Sequence, residues 1–335
     1  MKVLIVGDQH FKVEMPYAAA FSDGRRGEWI SVLETIHKTA KKCDAVVLMG
    51  DNLNTRHNHS TVIKDFIDFL KGFGDKPIHI LVGNHEKYGE SSALDFLEKI
   101  KYPNWNVYTS ITNGVDIGRR AASFVPYLTP SMLGVANNKT GATKAIKELT
   151  GGDYVFLHQG ITGAKTSGGL VDLFNEIVIS KAALEKKYNF IASGHIHKAQ
   201  KLSDKTLMTG SIKTMEVGEH EKFIWILDTD DHSVKEVPLP VRGIYGVSGV
   251  DVKPPKNSIV KCTVTDPKTD IEHVKTWLSQ FDAGILVEKY PRERRKVHFE
   301  KGGFDLSLDN LVKVFAKTRG IEHNDLKDGL DIIET

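Results

Sequence analysis

The chain has 335 residues, 40% hydrophobic and 26% charged, and its 45 Lys+Arg against 43 Asp+Glu leave a net charge of +2. That profile fits a soluble globular protein of about two domains and excludes a nucleic-acid or membrane partner recruited by net charge alone. Two cysteines, Cys43 and Cys262, exclude a disulfide scaffold and a multi-thiolate zinc module, and both read as core thiols. Met1–Val6 is too short for a signal sequence, and no apolar run approaches the ~20 residues of a membrane span, so a cytoplasmic protein is expected.

The apolar run Val3–Val6, closed by Gly7, predicts a buried strand; Trp29, Val32, Leu33, Ile36 and Ala40 then recur at helical spacing. Arg25 and Arg26 stand at the start of that helix and are expected on the surface. Ala45–Met49 reads as a second strand, and Ser60 as the cap of a helix with Val62, Ile63, Phe66, Ile67 and Leu70 on one face. Ile78–Val82 is a third strand, closed by Gly83, and Ser91–Ile100 a further helix. Ala121–Val125, Tyr154–Leu157 and Phe190–Ser193 read as strands, Thr140–Leu149 as a helix, and Phe223–Leu227 with Ser233–Val237 as an antiparallel pair. The alternation predicts a layered α/β fold. Pro238, Pro240, Pro254 and Pro255 mark a boundary near Leu239–Tyr245. Beyond it, Ile259–Val264, Ile271–Phe281 and Ile285–Val287 read as strand, helix and strand, and Leu308–Ile333 as two short helices split at Gly320.

Five polar clusters follow apolar strands: Asp8-Gln9-His10, Gly50-Asp51-Asn52, Gly83-Asn84-His85-Glu86, His158, and Gly194-His195-Ile196-His197. In open α/β sheets functional groups gather beyond the carboxyl ends of the strands, so these clusters are expected to converge. Carboxylates, imidazoles and an amide oxygen, with no cysteine, suit a hard or borderline divalent cation. Residues two apart on an extended segment point to one side, which predicts that Asp8 with His10, and His195 with His197, each share a centre. Taken singly, a D-x-H triplet arises by chance, His158 reads as a core histidine, and the G-H-x-H pair as two surface histidines. Their common order and strand-end placement set them apart.

The series D-x-H, GD, GNHE, H, GHxH resembles that of the calcineurin-like metallophosphoesterases. Within that superfamily the chain resembles the Mre11/SbcD nuclease branch, on Val125-Pro126-Tyr127-Leu128, Thr209-Gly210-Ser211 after the His pair, and the small αβ unit after the prolines. The resemblance implies a four-layer β-sandwich flanked by helices over residues 1–244, a small αβ capping and DNA-binding domain over 245–303, and a C-terminal helical partner-binding segment over 304–335. It implies two divalent ions, Mn²⁺ first and Mg²⁺ as an alternative. One would be held by Asp8, His10, Asp51 and His197, the other by Asp51, Asn84, His158 and His195, with His85 acting on the scissile phosphate. In that family a water activated between the ions attacks phosphorus in line. DNA is the implied substrate, and a Rad50/SbcC-type ATPase the implied partner, in a two-by-two assembly built on a homodimer.

Arg56, His57 and His59, after Asp51, are candidate DNA contacts, as is the basic run Lys289, Arg292, Arg294, Arg295 and Lys296; a solvated surface is the ordinary reading of both. His79 and His220 read as structural or surface residues. The branch pattern GD-x-F-D is altered here, Asn54 replacing its second carboxylate, which implies a shift in metal affinity or preference. Two other functions compete with the nuclease: a small-molecule phosphodiesterase or protein phosphatase on the same fold, and a non-catalytic scaffold. Val82 and the Asn54-Thr55-Arg56 stretch argue against a protein phosphatase, and the filled ligand positions argue against a scaffold.

Overall fold

Strands whose residues are apolar on both faces must be covered on both faces, and here two sheets stack on each other and each carries helices outside. The computed structural model describes residues 1–289, apart from 90, 101, 167–168 and 171–175. Arg292, Arg294, Arg295, Lys296, the end of the expected capping domain and the whole 304–335 segment lie outside the described residues.

The first six-stranded sheet runs Val234–Pro238, Phe223–Asp228, Lys2–Val6, Ala45–Leu48, Ile78–Leu81, Trp105–Tyr108. Its last four strands are parallel, with Leu4 opposite Val46 and Val46 opposite Ile78, and the Phe223–Asp228 strand joins antiparallel. The second sheet runs Gln200–Lys201, Thr206–Met208, Tyr188–Ser193, Gly152–Leu157, Ala121–Val125, Thr112–Asp116, parallel at its centre and antiparallel at both edges. Alternate residues divide the core. Val3, Ile5, Val47, Phe124, Tyr154 and Phe156 fill the space between the sheets. Leu4, Val46, Leu48 and Ile80 pack outward under the helices Arg26–Ala40 and Ser60–Lys71. Val155, Leu157 and Ile191 do the same under Asn138–Glu148 and Lys181–Glu185. The result is the four-layer α/β sandwich expected.

Residues from Ile244 onward build a third sheet of parallel strands Ile244–Val247, Ile259–Val264 and Ala283–Glu288, crossed by the helix Ile271–Leu278. It has its own core of Val260, Cys262, Val264, Val274 and Leu278. Ile244, Ile259 and Ala283 pack with Tyr17, Phe21 and Val217 of the sandwich. Among the described residues no helix is long and apolar enough to cross a membrane.

Local chemistry moves several expected boundaries. His59, not Ser60, caps its helix, its ring accepting from the Thr61 amide at 3.2 Å. Ser91–Ser92 pairs with Lys87–Tyr88 as a hairpin, so the helix expected from Ser91 starts at Asp95, whose carboxylate holds the Ser92 amide. Arg25 is fully buried, contrary to the expectation of a surface residue. Its guanidinium is satisfied by Glu28, the Pro16 carbonyl and Thr214, and Glu28 also binds Arg242. A charge fully paired in this way can be buried where an unpaired one cannot.

His79 lies between the sheets, stacked on Phe124 with its Nδ1 2.8 Å from the Tyr108 hydroxyl. Burial lowers its imidazole to about 4. The unfolded chain therefore binds a proton near pH 6.5 that the folded chain refuses until about pH 4, so stability rises with pH across that window. Denaturant titrations at pH 7 and pH 4 are expected to show a loss on acidification smaller in His79→Gln by up to about 3 kcal/mol. Equal losses in the two proteins would remove His79 from the acid response.

Candidate metal centre

Each predicted site residue stands just past the carboxyl end of a parallel strand, and the two sheets bring those ends together. Asp8 follows Lys2–Val6, Asp51 follows Ala45–Leu48, and Asn84 and His85 follow Ile78–Leu81. From the second sheet, His158 follows Gly152–Leu157, and His195 and His197 follow Tyr188–Ser193. Asp8 and His10 share one cation group as expected, whereas His195 and His197 fall in different groups, and neither placement comes from alternation along an extended segment. His10, Asp51 and His195 have φ of 47°, 46° and 76°, left-handed backbone that turns each side chain sharply off its strand. Non-glycine residues there cost of order 1–3 kcal/mol each and persist where the surroundings hold them. Three glycines make the approach possible, among them Gly50, where a Cβ would fall 2.4 Å from His158 Nδ1. A Cβ at Gly83 would collide with the Asp51 amide and carboxylate, and one at Gly194 would sit 2.6 Å from Asp8 Oδ1 and the Met49 carbonyl.

Three overlapping groups have ligand atoms close enough to share a cation: Asp8, His10 and His197; His10, Asp51 and His85; Asp51, His158 and His195. Asn84 completes the third, its Oδ1 lying 3.1 Å from His158 Nε2 and 2.9 Å from His195 Nδ1. The far ring nitrogens are pinned by acceptors: His158 Nδ1 by the Met49 carbonyl at 2.6 Å, His195 Nε2 by Glu176 at 2.7 Å, His85 Nδ1 by the Asn54 carbonyl at 2.7 Å. Each of those nitrogens must carry the N–H, which leaves a lone pair on the inward nitrogen of neutral His158 and His195. Those lone pairs face the Asn84 oxygen, and His10 Nε2 faces His197 Nε2 at 3.0 Å. At His158 and His195, acceptors facing an acceptor are reconciled by a cation between them, and imidazoles pinned outward by carbonyl or carboxylate are the usual setting of metal-binding histidines. The donor set fits divalent metal.

The electrostatics agree. Burial raises the Asp8 carboxyl, an effect that neighbouring His158 opposes and the Asp51 charge reinforces. Burial also works against ionising Asp51, yet the charge and hydrogen bond of His158, with His10 and His85, hold its carboxyl well below the usual range. Against its own burial, His158 is drawn up to about 10, by Asp51 and then Asp8. The two buried carboxylates thus demand positive charge at this point, which a divalent ion meets while leaving the imidazoles neutral.

All eight residues expected at the metals and the phosphate come together. His85 also stands 3.9 Å from Asp51 through Nε2, within the range of the same cation group. Arg56 and His57 are exposed on the loop after Asp51, and Lys289 is exposed at the end of the Ala283–Glu288 strand. The Asn54 change bears on His85 only through a main-chain carbonyl, a contact any residue supplies. Sequence reading missed the buried groups behind the ligands. Glu86 accepts the Gly83 and Leu53 amides at 2.7 Å each, tying the GNHE turn to the Asp51 loop; burial, then the Asp51 charge, lifts it to about 8. Its place beside His85 in GNHE was the available signal. Glu176 and Glu219, facing His195 and His197, had none, being tied to the site only by the fold. Glu86→Gln replaces one of two acceptor oxygens with a donor facing an amide. A loss of about 1–3 kcal/mol in denaturant unfolding is expected, and unchanged stability would show that the turn does not depend on this clasp.

A protein of Invertebrate iridescent virus 6 named Putative phosphoesterase 244L is 27% identical to this chain over 291 residues, 82% of this chain and 92% of that protein. Solved structures similar to it include a novel archaeal phosphodiesterase (16% identity, TM-score 0.36, 71% of this chain and 100% of that one). The protein TT1561 of Thermus thermophilus is 13% identical with a TM-score of 0.41, over 71% of this chain and 98% of that one. The calcineurin-like phosphoesterase YfkN from Bacillus subtilis is 15% identical with a TM-score of 0.36, over 71% and 88%. Residues 1–199 match the calcineurin-like phosphoesterase family, a span that includes all eight residues of the centre. The chain is a member of the calcineurin-like metallophosphoesterases, hydrolases of phosphate esters.

Proposed function

We propose that this phosphoesterase is a Mn²⁺-dependent DNA nuclease subunit of the Mre11/SbcD type, cutting phosphodiester bonds without sequence preference in DNA end processing, recombination and repair. The observation that carries the reading is the βαβ unit of residues 244–288, with its own core, added to the phosphoesterase sandwich. Hydrolysis of a small ester has no use for such a unit, whereas a polymer needs surface beyond the metal centre. Exposed Arg56, His57 and Lys289 supply cationic or hydrogen-bonding groups for a phosphate backbone, and Arg292, Arg294 and Arg295 continue that basic run. The proposed partner is a Rad50/SbcC-type ATPase engaged through residues 304–335, in a two-by-two complex around a homodimer.

In this reading Asp8, His10, Asp51 and His197 hold one ion, and Asp51, Asn84, His158 and His195 the other. When bound, such a pair supplies a nucleophile at neutral pH and offsets charge on the phosphoryl oxygens. The chain's own residues do the rest. Asp51 is shared between the two positions and also accepts the His85 amide at 2.9 Å, which sets the catalytic histidine relative to both. With Nδ1–H committed to the Asn54 carbonyl, His85 presents Nε2 to the phosphate, and only as the imidazolium, which carries a second N–H there, would it donate to a phosphoryl oxygen or protonate the departing 3′ oxygen.

One observation favours a second reading, a small-molecule phosphodiesterase. A cavity of about 670 Å³, lined by His195, His197, Lys198, His220 and Phe223 among others, lies beside the centre and is of a size that takes a small ligand. Digestion of an end-labelled DNA duplex with Mn²⁺, by the wild-type chain and His85→Ala, separates the two, with a bis-arylphosphate ester as control substrate. The nuclease reading expects DNA degradation that falls at least ~100-fold in the variant. Ester cleavage with intact DNA, even with a Rad50-type partner and ATP, would instead establish the small-molecule enzyme. Chelation with EDTA is expected to abolish either activity and Mn²⁺ to restore it; activity persisting in metal-free protein would sink both.

A further inference from the structure

The two halves of the metal centre are oriented by different means. On the Asp51, Asn84, His158 and His195 side, the His158 and His195 rings are held directly, by the Met49 carbonyl and by Glu176. On the Asp8, His10 and His197 side the rings are held less closely. His10 Nδ1 is buried with no hydrogen-bond partner among the described residues, and His197 Nδ1 meets the Glu219 carboxylate only at 3.6 Å. What is held there is the main chain. Lys213, fully buried with its ammonium 4.6 Å over the Trp29 ring, donates to the His10 carbonyl at 2.6 Å. Lys222, equally buried, donates to the His197 carbonyl at 2.9 Å and to Ser211 Oγ at 2.7 Å. Ser211 in turn donates to the Lys213 carbonyl at 3.0 Å, so the two lysines are joined. The same segment clasps the third ligand: the Ile212 amide binds the Asp8 carbonyl at 3.0 Å, and the Asp8 amide the Gly210 carbonyl at 3.2 Å.

We infer that Lys213 and Lys222 are positioning residues for one of the two metal sites, fixing His10 and His197 through their backbone carbonyls while leaving the other site to side-chain clasps. His10 makes the need clear. Its left-handed backbone is strained and its ring has no outward acceptor, so the imidazole direction follows from where its carbonyl is tied. Methionine at either position keeps the apolar stem and removes the donor with its charge, together with the Lys222–Glu219 ion pair at 3.2 Å or the Lys213 contact with the Trp29 ring. Arginine, which keeps the charge, is the control that separates these losses from that of the carbonyl contact.

This inference rests on the two-metal reading, and Mn²⁺ binding to the metal-free full chain, followed by electron paramagnetic resonance and by calorimetric titration, tests the two separately. Wild type is expected to bind two ions. Lys213→Met and Lys222→Met are expected to keep one at wild-type affinity and weaken the other 10–100-fold, with loss of the spin-coupled two-ion signal. Lys222→Arg, which retains a donor, should recover part of the second affinity. Glu176→Gln is expected to weaken the opposite site, so that the double variant with Lys222→Met binds neither ion tightly. Unfolding of each metal-free variant is followed in parallel; if a methionine variant shows no cooperative transition, glutamine at the same position, which keeps a shorter donor, takes its place in the titration. Two ions bound at wild-type affinities in the lysine variants would overturn the inference, as would an equal fall at both sites. A wild type that binds fewer than two ions would instead overturn the two-metal reading.

Discussion

Two carboxylates, Asp8 and Asp51, are buried side by side at the ends of neighbouring strands, and much of the architecture answers the cost of placing them there. An unpaired buried charge costs several kcal/mol, and two like charges together cost more. The chain surrounds them with five imidazoles and an amide oxygen drawn from both sheets, a solution open where parallel strands of two stacked sheets end at the same level. The sandwich thus does more than bury apolar surface. It brings residues nearly 190 positions apart, such as Asp8 and His197, into one cation group.

That convergence opposes the ordinary geometry of strand ends, and the opposition shows in the backbone. Three of the ligands lie in left-handed conformations, a collective strain of several kcal/mol. Such strain persists because rigid strands flank each turn, with Val3–Val6 and Val46–Leu48 wholly buried at roughly 1.5–3 kcal/mol for each large side chain. The Glu86 carboxylate ties the Asp51 turn to the neighbouring Gly83–Glu86 turn, and the Gly210–Lys213 segment ties the Asp8–His10 turn to the His195–His197 turn. Neighbouring turns are therefore tied to each other as well as to their own strands.

The central strands were legible because a strand buried on both faces reads as an unbroken apolar run, as Val3–Val6 and Ala45–Met49 do. The site residues were legible because each follows such a run with a polar type that a sandwich has no structural need of. The short strands Gln200–Lys201 and Thr206–Met208, and the Ser91–Ser92 hairpin, were not legible. Strands this short carry no periodicity, and their existence depends on partners distant in sequence. Arg25 shows the same limit from the other side. Nothing around it in sequence announces burial, because its acceptors include Thr214 and its partner Glu28 is shared with Arg242, more than 180 residues away. Local reading also erred on how the pairs D-x-H and H-x-H are placed, since the turn geometry that directs them comes from neighbouring loops.

The metal centre and the substrate question lie on different parts of the molecule. Every group in the three clusters able to hold a cation is supplied by strand ends of the sandwich, and this set suits attack on a phosphate ester whatever alcohol it carries. Selection among substrates must then come from what borders the centre: the exposed loop with Arg56 and His57, the cavity beside His195 and His197, and the surface of the added βαβ unit. The loop is physically coupled to the centre, because the Asn54 carbonyl within it also accepts from the His85 ring. A strand of DNA lying against Arg56 and His57 would press on the segment that aims His85, whereas a small ester held in the cavity would approach from the His197 side and leave that segment free. On the role proposed for His85, the two substrates would therefore make different demands on the same histidine.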